Sequence, residues 1–252
     1  MKKILISVAI MFVSGALHAQ SGYPNKPITL VVPYPVGGSN DVFARLIAKS
    51  LGEALKVAVV VDNRPGASGS TGTLQVSKAA PDGYTLLAVS SSMTTNAAIQ
   101  EKSGFDPTKN LTAIAMLAKG PFIVAVNDSF PAKDPKQLVA LLKANPGKYN
   151  YASSGTGSSN QFATELMKVM SGTFALHIPY RGMGPAVTDL IGGQTQILLA
   201  SGPSLLPQVR NGRIRAIGIT SLKPSPIAPE LIPMATAIPG YRSEEHTSEL
   251  QS

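Results

Sequence analysis

Ile28-Thr29-Leu30-Val31-Val32-Pro33-Tyr34-Pro35-Val36-Gly37-Gly38-Ser39-Asn40-Asp41 decides the fold of this chain, because an apolar run breaks into a Gly-Gly turn where a helix should begin. Ile28 to Val32 is a short, largely β-branched stretch of the kind that forms a buried parallel strand, and Asp41 to Leu55 carries apolar residues at helical spacing. The glycines between them allow backbone conformations closed to other residues. The first N–H groups of a helix have no partner within it, so they can point at a ligand anion. A strand, a Gly-Gly turn and a helix in that order describe a preformed anion pocket.

Working outward, the same alternation recurs. Val57 to Val61 reads as a second strand, Ser70 to Ala80 as a helix, and Tyr84 to Ser90 as a third strand. The pattern restarts at Phe122 to Val126. A helix follows over Pro135 to Ala144, then a strand at Tyr149 to Ala152 and a helix from Ser159 to Met170. His177 to Tyr180 leads into a helix through Pro185 to Ile191, and Gln196 to Ala200 and Ile214 to Thr220 read as further strands. Strands alternating with helices of this length predict an α/β fold with mainly parallel sheets flanked by helices. The restart near Lys119-Gly120-Pro121 marks an expected domain boundary.

Both ends read differently from the body of the 252-residue chain. Lys2 and Lys3 precede an apolar run from Ile4 to Val13 and small residues ending at Leu17-His18-Ala19, the layout of a secretory leader cleaved after Ala19. The run is too short for a retained membrane span. With no cysteine there is no lipid-attachment site and no disulfide framework, so a soluble exported protein is expected, periplasmic in a Gram-negative cell. The last residues, Arg242 to Ser252 (RSEEHTSELQS), match the first-frame translation of a common sequencing adapter residue for residue. They are expected to be foreign to the gene, with the natural C-terminus missing.

Setting both ends aside removes three basic residues (Lys2, Lys3, Arg242) and three acidic ones (Glu244, Glu245, Glu249), so the net charge of +8 is unchanged. Such a balance favours anionic partners. The basic residues are scattered and no Lys/Arg cluster is interleaved with aromatics, which argues against nucleic acid. His18 and His246 leave with the ends, so His177 is the one histidine of the body. Metal clusters and histidine-based triads lose most of their material. No metal, no cofactor and no catalytic set is expected.

In open α/β sheets ligands bind beyond the carboxyl ends of strands. The segments there are Tyr34-Pro35-Val36-Gly37-Gly38-Ser39, Ser90-Ser91-Ser92-Met93-Thr94, Ser153-Ser154-Gly155-Thr156-Gly157-Ser158, Tyr180-Arg181-Gly182-Met183-Gly184 and Ser201-Gly202. Hydroxyls, glycine amides and one arginine cradle a small anion. No GxSxG, Walker A or GxGxxG pattern is present.

These segments carry a family resemblance. Tyr23-Pro24 with Lys26-Pro27-Ile28, Pro33-Tyr34-Pro35-Val36-Gly37-Gly38 with Asp41 and Ala44-Arg45, Asn63 through Gly69, and Pro81-Asp82-Gly83-Tyr84-Thr85-Leu86 follow in order. Tyr151 through Ser158, Pro179-Tyr180-Arg181-Gly182 with Pro185-Ala186, and Leu190 through Gln194 continue the series. Over Tyr23 to Tyr241 the chain resembles the substrate-binding proteins of tripartite tricarboxylate transporters, the Bug family. The resemblance implies a two-lobed periplasmic binding protein of the Venus flytrap kind that closes on a small carboxylate and delivers it to a membrane permease. It also implies a C-terminal segment that returns to lobe 1, so lobe 1 is expected to be incomplete. The expected division is a leader over 1–19, lobe 1 over 20–119, lobe 2 over 120–221, the start of the return over 222–241, and the foreign tail over 242–252. Val36 stands where the family has alanine, and Gln161 where histidine is common.

The expected ligand-binding residues are Tyr34, Pro35, Val36, Gly37, Gly38, Ser39, Asp41, Ser90, Ser91, Ser153, Ser154, Gly155, Thr156, Ser158, Tyr180, Arg181 and Gly182. Several have a plainer reading. Asp41 and Arg45 are spaced for an ion pair along the helix. Arg64 reads as a structural salt bridge or cap, Ser158 as the cap of the following helix, Glu165 as solvated and His177 as a packed residue. The alternative functions are a ligand-sensing protein that presents a carboxylate to a membrane sensor kinase, and an exported hydrolase. The hydrolase lacks a nucleophile elbow to activate a serine. A monomer is expected.

Overall fold

The computed structural model describes residues 22–99 and 104–251, with the side chains of 245–251 left out of the description. The stretch read as a leader lies outside the described residues. Among those described, no helix is long and apolar enough to cross a membrane.

Lobe 1 begins with β1 (Ile28–Val32), α1 (Ser39–Leu55), β2 (Val59–Asn63), α2 (Ser70–Val76), β3 (Thr85–Ser90) and α3 (Ser92–Ile99). β1 lies between β2 and β3, parallel to both, with Leu30 opposite Val61 on one side and Leu86 on the other. Both faces of this sheet are covered, which is why β1 reads as a continuous apolar run. Val31, Leu87 and Val89 pack with Val76, Met93 and Phe105, while Ile28, Leu30 and Val32 pack with Ala44 and Ala48 of α1.

β4 (Thr112–Asn127) then serves both lobes. Lobe 2 continues with α4 (Pro135–Ala144), β5 (Asn150–Ser153), α5 (Ser159–Ser171), β6 (Leu176–Pro179), α6 (Met183–Ile191), β7 (Ile197–Ser201), α7 (Gly202–Arg210) and β8 (Ile214–Ile219). The start of α4 follows from its sequence: Asp134 accepts a hydrogen bond from the Gln137 N–H at 2.8 Å, and Pro135 opens the helix. β5 is parallel to β6 and β7, and β4 runs antiparallel to β7 and β8. Side chains of β4 alternate between two cores. Phe122, Val124 and Val126 join Leu138, Tyr151 and Met167, while Ile123 and Ala125 join Leu190, Leu198 and Leu205.

The parallel ladders expected from the alternation are present, joined by antiparallel β4. Phe122 to Val126 is only the second half of β4. Its first half, Thr112 to Pro121, pairs with β9 (Glu244–Gln251), and the partner changes at Pro121/Phe122. β9 lies between β3 and β4, antiparallel to both, so the stretch read as a foreign tail forms a strand of the lobe 1 sheet. The segment 222–241 was expected to begin the return to lobe 1 and instead packs on lobe 2. Met234, Ile238 and Tyr241 are buried in the core with Phe122 and Met167, and the Tyr241 hydroxyl donates to the Ala163 carbonyl at 2.9 Å. These contacts hold the segment on lobe 2, so the return to lobe 1 starts only after Tyr241.

Candidate functional site

Two topological switch points face each other across the lobes. In lobe 1, β1 has β2 and β3 on opposite sides, and in lobe 2, β5 has β6 and β7 on opposite sides. The crevices beyond β1 and β5 are where ligands sit in open α/β sheets. An inner pocket of about 100 Å³ occupies the space between them. Lobe 1 lines it with Tyr34, Pro35, Val36, Gly38, Ser39 and Asn40 after β1, and with Ser90 and Ser92 after β3. Lobe 2 contributes Ser154 and Asn160 after β5, Gly182, Met183, Gly184 and Pro185 after β6, and Phe122 at the crossing strand.

Two helix N-termini enter this pocket. α1 starts at Ser39 after Gly38, and α6 starts at Met183 after Gly182, and neither N-terminus has a side-chain cap. Uncapped first-turn N–H groups and the positive ends of the two helix dipoles therefore meet in one cavity. Gly182 is needed here for two reasons. Its φ of +109° lies in the region that favours glycine, and a Cβ would stand 2.5 Å from Cγ of Pro35 across the cleft.

A wider compartment of about 690 Å³ shares Tyr34, Pro35, Ser154 and Gly182 with the inner pocket and adds Gly155, Thr156, Tyr180 and Arg181. The Arg181 residue is exposed there. The Tyr180 hydroxyl donates to Asp189 at 2.6 Å, and burial together with this carboxylate pushes it up to about 12.

Of the expected residues, Tyr34, Pro35, Val36, Gly38, Ser39, Ser90, Ser154 and Gly182 line the inner pocket, and Gly155, Thr156, Tyr180 and Arg181 line the wider one. The remaining five, Gly37, Asp41, Ser91, Ser153 and Ser158, line neither compartment. The Asp41 carboxylate is consumed within lobe 1: it accepts from the Gly37 N–H at 2.9 Å, from Nε of Arg45 at 3.0 Å and from Nδ2 of Asn63 at 2.9 Å. Burial alone would raise the Asp41 carboxyl; the bonds from Arg45, Gly37 and Asn63 outweigh that and hold it below the usual range. Gly37 is thereby tied to Asp41. The Ser91 carbonyl accepts from Thr94 and Thr95 as α3 begins. Ser153 is fully buried beside His177, and Ser158 Oγ donates to the Gly155 carbonyl at 2.6 Å.

Ser158 therefore precedes α5 without capping it by its side chain. Glu165, read as solvated, is held by the Tyr151 hydroxyl and by Nζ of Lys168 at 2.8 Å. The Arg64 salt bridge forms with Asp62 at 2.9 Å.

Asn160 and Phe122 line the pocket without standing among the expected ligand-binding residues; Ser92, Met183 and Gly184, which also line it, lie in the segments read beyond the strand ends. Asn160 is 2% exposed, accepts from Ser154 Oγ at 3.0 Å and donates to the Leu199 carbonyl at 3.1 Å, so it pins the serine turn to β7. The lobes also bond to each other directly. Ser68 Oγ donates to the Thr156 carbonyl at 2.7 Å, Thr95 Oγ1 donates to the Gly157 carbonyl at 2.7 Å, and the Ser159 N–H donates to Ser92 Oγ at 3.0 Å. This is a closed cleft. Among the described residues no group of histidine, cysteine, aspartate and glutamate side chains could hold a metal ion.

Comparison with known proteins agrees with this geometry. The sequence model of the tripartite tricarboxylate transporter family receptor matches residues 43–250. Protein BugT of Bordetella pertussis is 35% identical over 240 residues, 93% of this chain and 74% of that protein. Among solved structures, Rpa4515 of R. palustris with adipate superposes with a TM-score of 0.89 at 31% identity, covering 91% of this chain and 78% of that one. MatC (Rpa3494) from Rhodopseudomonas palustris with bound malate superposes with a TM-score of 0.85 at 27% identity, covering 91% and 79%. The chain belongs to the tripartite tricarboxylate transporter receptor family, a family of substrate-binding receptors and not of enzymes.

Proposed function

We propose that the chain captures a small dicarboxylate in the interlobe cleft, in the periplasm, for uptake by a tripartite tricarboxylate-type transporter. The observation that carries this reading is the convergence of the uncapped N-termini of α1 and α6 on one pocket lined by Ser90, Ser92, Ser154 and Asn160. Backbone donors arranged in this way favour an anion over a neutral ligand of the same shape. One carboxylate rests between the two helix starts, on the first-turn amides of α1 and α6 and the hydroxyls of Ser90 and Ser154. The other points into the wider compartment, where Thr156, Tyr180 and Arg181 stand. A guanidinium there suits a second carboxylate at the far end of the ligand.

Asp41 has no part in holding a ligand amine on this reading, because its oxygens are already occupied within lobe 1. Adipate and malate, the ligands of two structural neighbours, are six- and four-carbon dicarboxylates and set the size range to try first.

The test is titration calorimetry of the full chain with malate, succinate, adipate, citrate, acetate and the diamide of adipate. Saturable binding of a dicarboxylate with none of the diamide is the expected result. Binding of the diamide as tight as that of adipate would remove the anion pocket, and a flat response to every acid would remove the carboxylate reading.

A further inference from the structure

The turn from Ser153 to Ser158 walls the cleft through Ser154, Gly155 and Thr156, and it is held from behind by a ring of hydrogen bonds. The Gly157 N–H donates to Oε1 of Gln161 at 2.7 Å. Nε2 of Gln161 stands 3.3 Å from Nδ1 of His177, and Nε2 of His177 stands 2.7 Å from Ser153 Oγ. Ser153 Oγ in turn lies 3.1 Å from the Gly155 carbonyl, to which it donates. The ring thus starts and ends on the same glycine turn.

The direction of every bond is fixed by one fact: a backbone N–H only donates. Oε1 of Gln161 must therefore face Gly157, which leaves Nε2 to donate to Nδ1 of His177. The imidazole is then the neutral tautomer with its proton on Nε2. That proton goes to Ser153, whose own hydroxyl proton goes to the Gly155 carbonyl.

We infer that Gln161 and His177 are positioning residues for the ligand-lining turn, and that a proton taken up at Nδ1 of His177 breaks the ring and loosens the cleft. The second proton turns Nδ1 from acceptor to donor, so Nε2 of Gln161 loses its bond to His177 and keeps only the Tyr151 hydroxyl as acceptor. Rotating the amide to offer Oε1 to the imidazolium sets its NH₂ against the Gly157 N–H. Either arrangement leaves two donors facing each other, and the ring opens between Gln161 and His177 or at Gly157.

The surroundings oppose that proton. Tyr151 of β5 stacks on the imidazole with ring centres 4.9 Å apart, and Glu165 and Lys168 of α5 face it. Burial pushes the imidazole below its ordinary value; the Glu165 carboxylate works against this and the Lys168 ammonium with it. The neutral ring is therefore the resting form at neutral pH, and the break comes on the acid side.

This inference rests on the cleft being the binding site, and its test separates the two. In the ¹⁵N-labelled full chain without ligand, the His177 ring nitrogens should report the Nε2–H tautomer at pH 8. The Gly157 amide should lose its protection from hydrogen exchange along the same titration as His177. Adipate should bind up to about tenfold more weakly at pH 5 than at pH 8, the worth of one net hydrogen bond. In Gln161→Glu the carboxylate accepts from both the Gly157 N–H and a protonated Nδ1, so that loss should disappear. In His177→Gln, which does not titrate, it should disappear as well. An Nδ1–H tautomer at pH 8, Gly157 protection indifferent to His177, or an unchanged pH profile in Gln161→Glu would each overturn the proposal. If adipate binds at no pH, the carboxylate reading fails while the tautomer and the Gly157 amide still decide the ring.

Discussion

The two halves of β4 belong to one unbroken strand and live in different surroundings. Phe122 to Asn127 is buried throughout, with Ile123 fully so, whereas Thr112 to Met116 is exposed, with Ile114 at 48% and Met116 at 60%. Both halves carry apolar residues; the second is paired on both edges, with β7 and β8, and the first with β9. The difference lies in what covers their faces. The second half is sandwiched between the cores built by α4 and α5 on one side and α6 and α7 on the other. The first half pairs with β9, and among the described residues only Leu117 of this half joins a core. Hydrogen bonding places a strand; cover on its faces stabilises it.

That comparison can be broken most sharply with core truncations. Ile123→Ala should cost about 3 kcal/mol, within the range for removing a buried aliphatic side chain from a closed core, while Met116→Ala should stay within about 0.5 kcal/mol. Urea unfolding of the two variants checks it, and equal costs would mean that the exposed half is buried in solution. Hydrogen exchange along β4 gives the same contrast without mutation. Amides of Ile123 to Val126 should exchange only on global unfolding, and those of Thr112 to Leu117 by local opening at lower free energy.

A smaller effect tests how the lobes meet. Gly157 has a φ of +82°, and a Cβ there would stand 2.0 Å from Oδ1 of Asn96 across the cleft. Gly157→Ala should therefore hold the lobes apart, at a backbone cost of about 1–2 kcal/mol on top of the clash. Small-angle scattering should show a larger radius of gyration and calorimetry at least tenfold weaker adipate binding. Thr95→Val, which removes only the donor to the Gly157 carbonyl, should weaken closure by about 1 kcal/mol.

The same contrast explains what the sequence disclosed. Ile28 to Val32 and Phe122 to Val126 are covered on both faces, so each writes itself as a continuous apolar run, and the parallel ladders follow from them. Thr112 to Pro121 is hidden because an exposed strand has no reason to alternate, and Lys119-Gly120-Pro121 reads as a break although the backbone runs through it. α3 was missed since its Ser92-rich start resembles a loop, and α7 because Pro207 sits inside it. At the cleft, the turns after β1, β5 and β6 were legible as glycine and serine clusters beyond strand ends. The Asn160 contact to Leu199 and the Gln161 contact to His177 were not, since both depend on strands that are far apart in sequence.

The smallest effect concerns how lobe 1 holds the turn after β1. Lobe 1 ties Gly37 to the start of α1 through the Asp41 carboxylate, which also collects Arg45 and Asn63. Because these partners favour the ionised form, the folded chain holds Asp41 below the ordinary aspartate value, and the unfolded chain takes up its proton first as pH falls. The stabilisation is therefore complete above about pH 4 and fades as the pH drops through the lower, folded value. Asp41→Asn keeps the shape and one acceptor and has no charge to lose. Its unfolding free energy should be lower than that of the unsubstituted chain at pH 7, and the two should approach each other below pH 3. Urea titrations at pH 7, 4 and 3 test this, and a gap that stays constant over that range would mean that shape and not charge makes Asp41 the anchor of the turn.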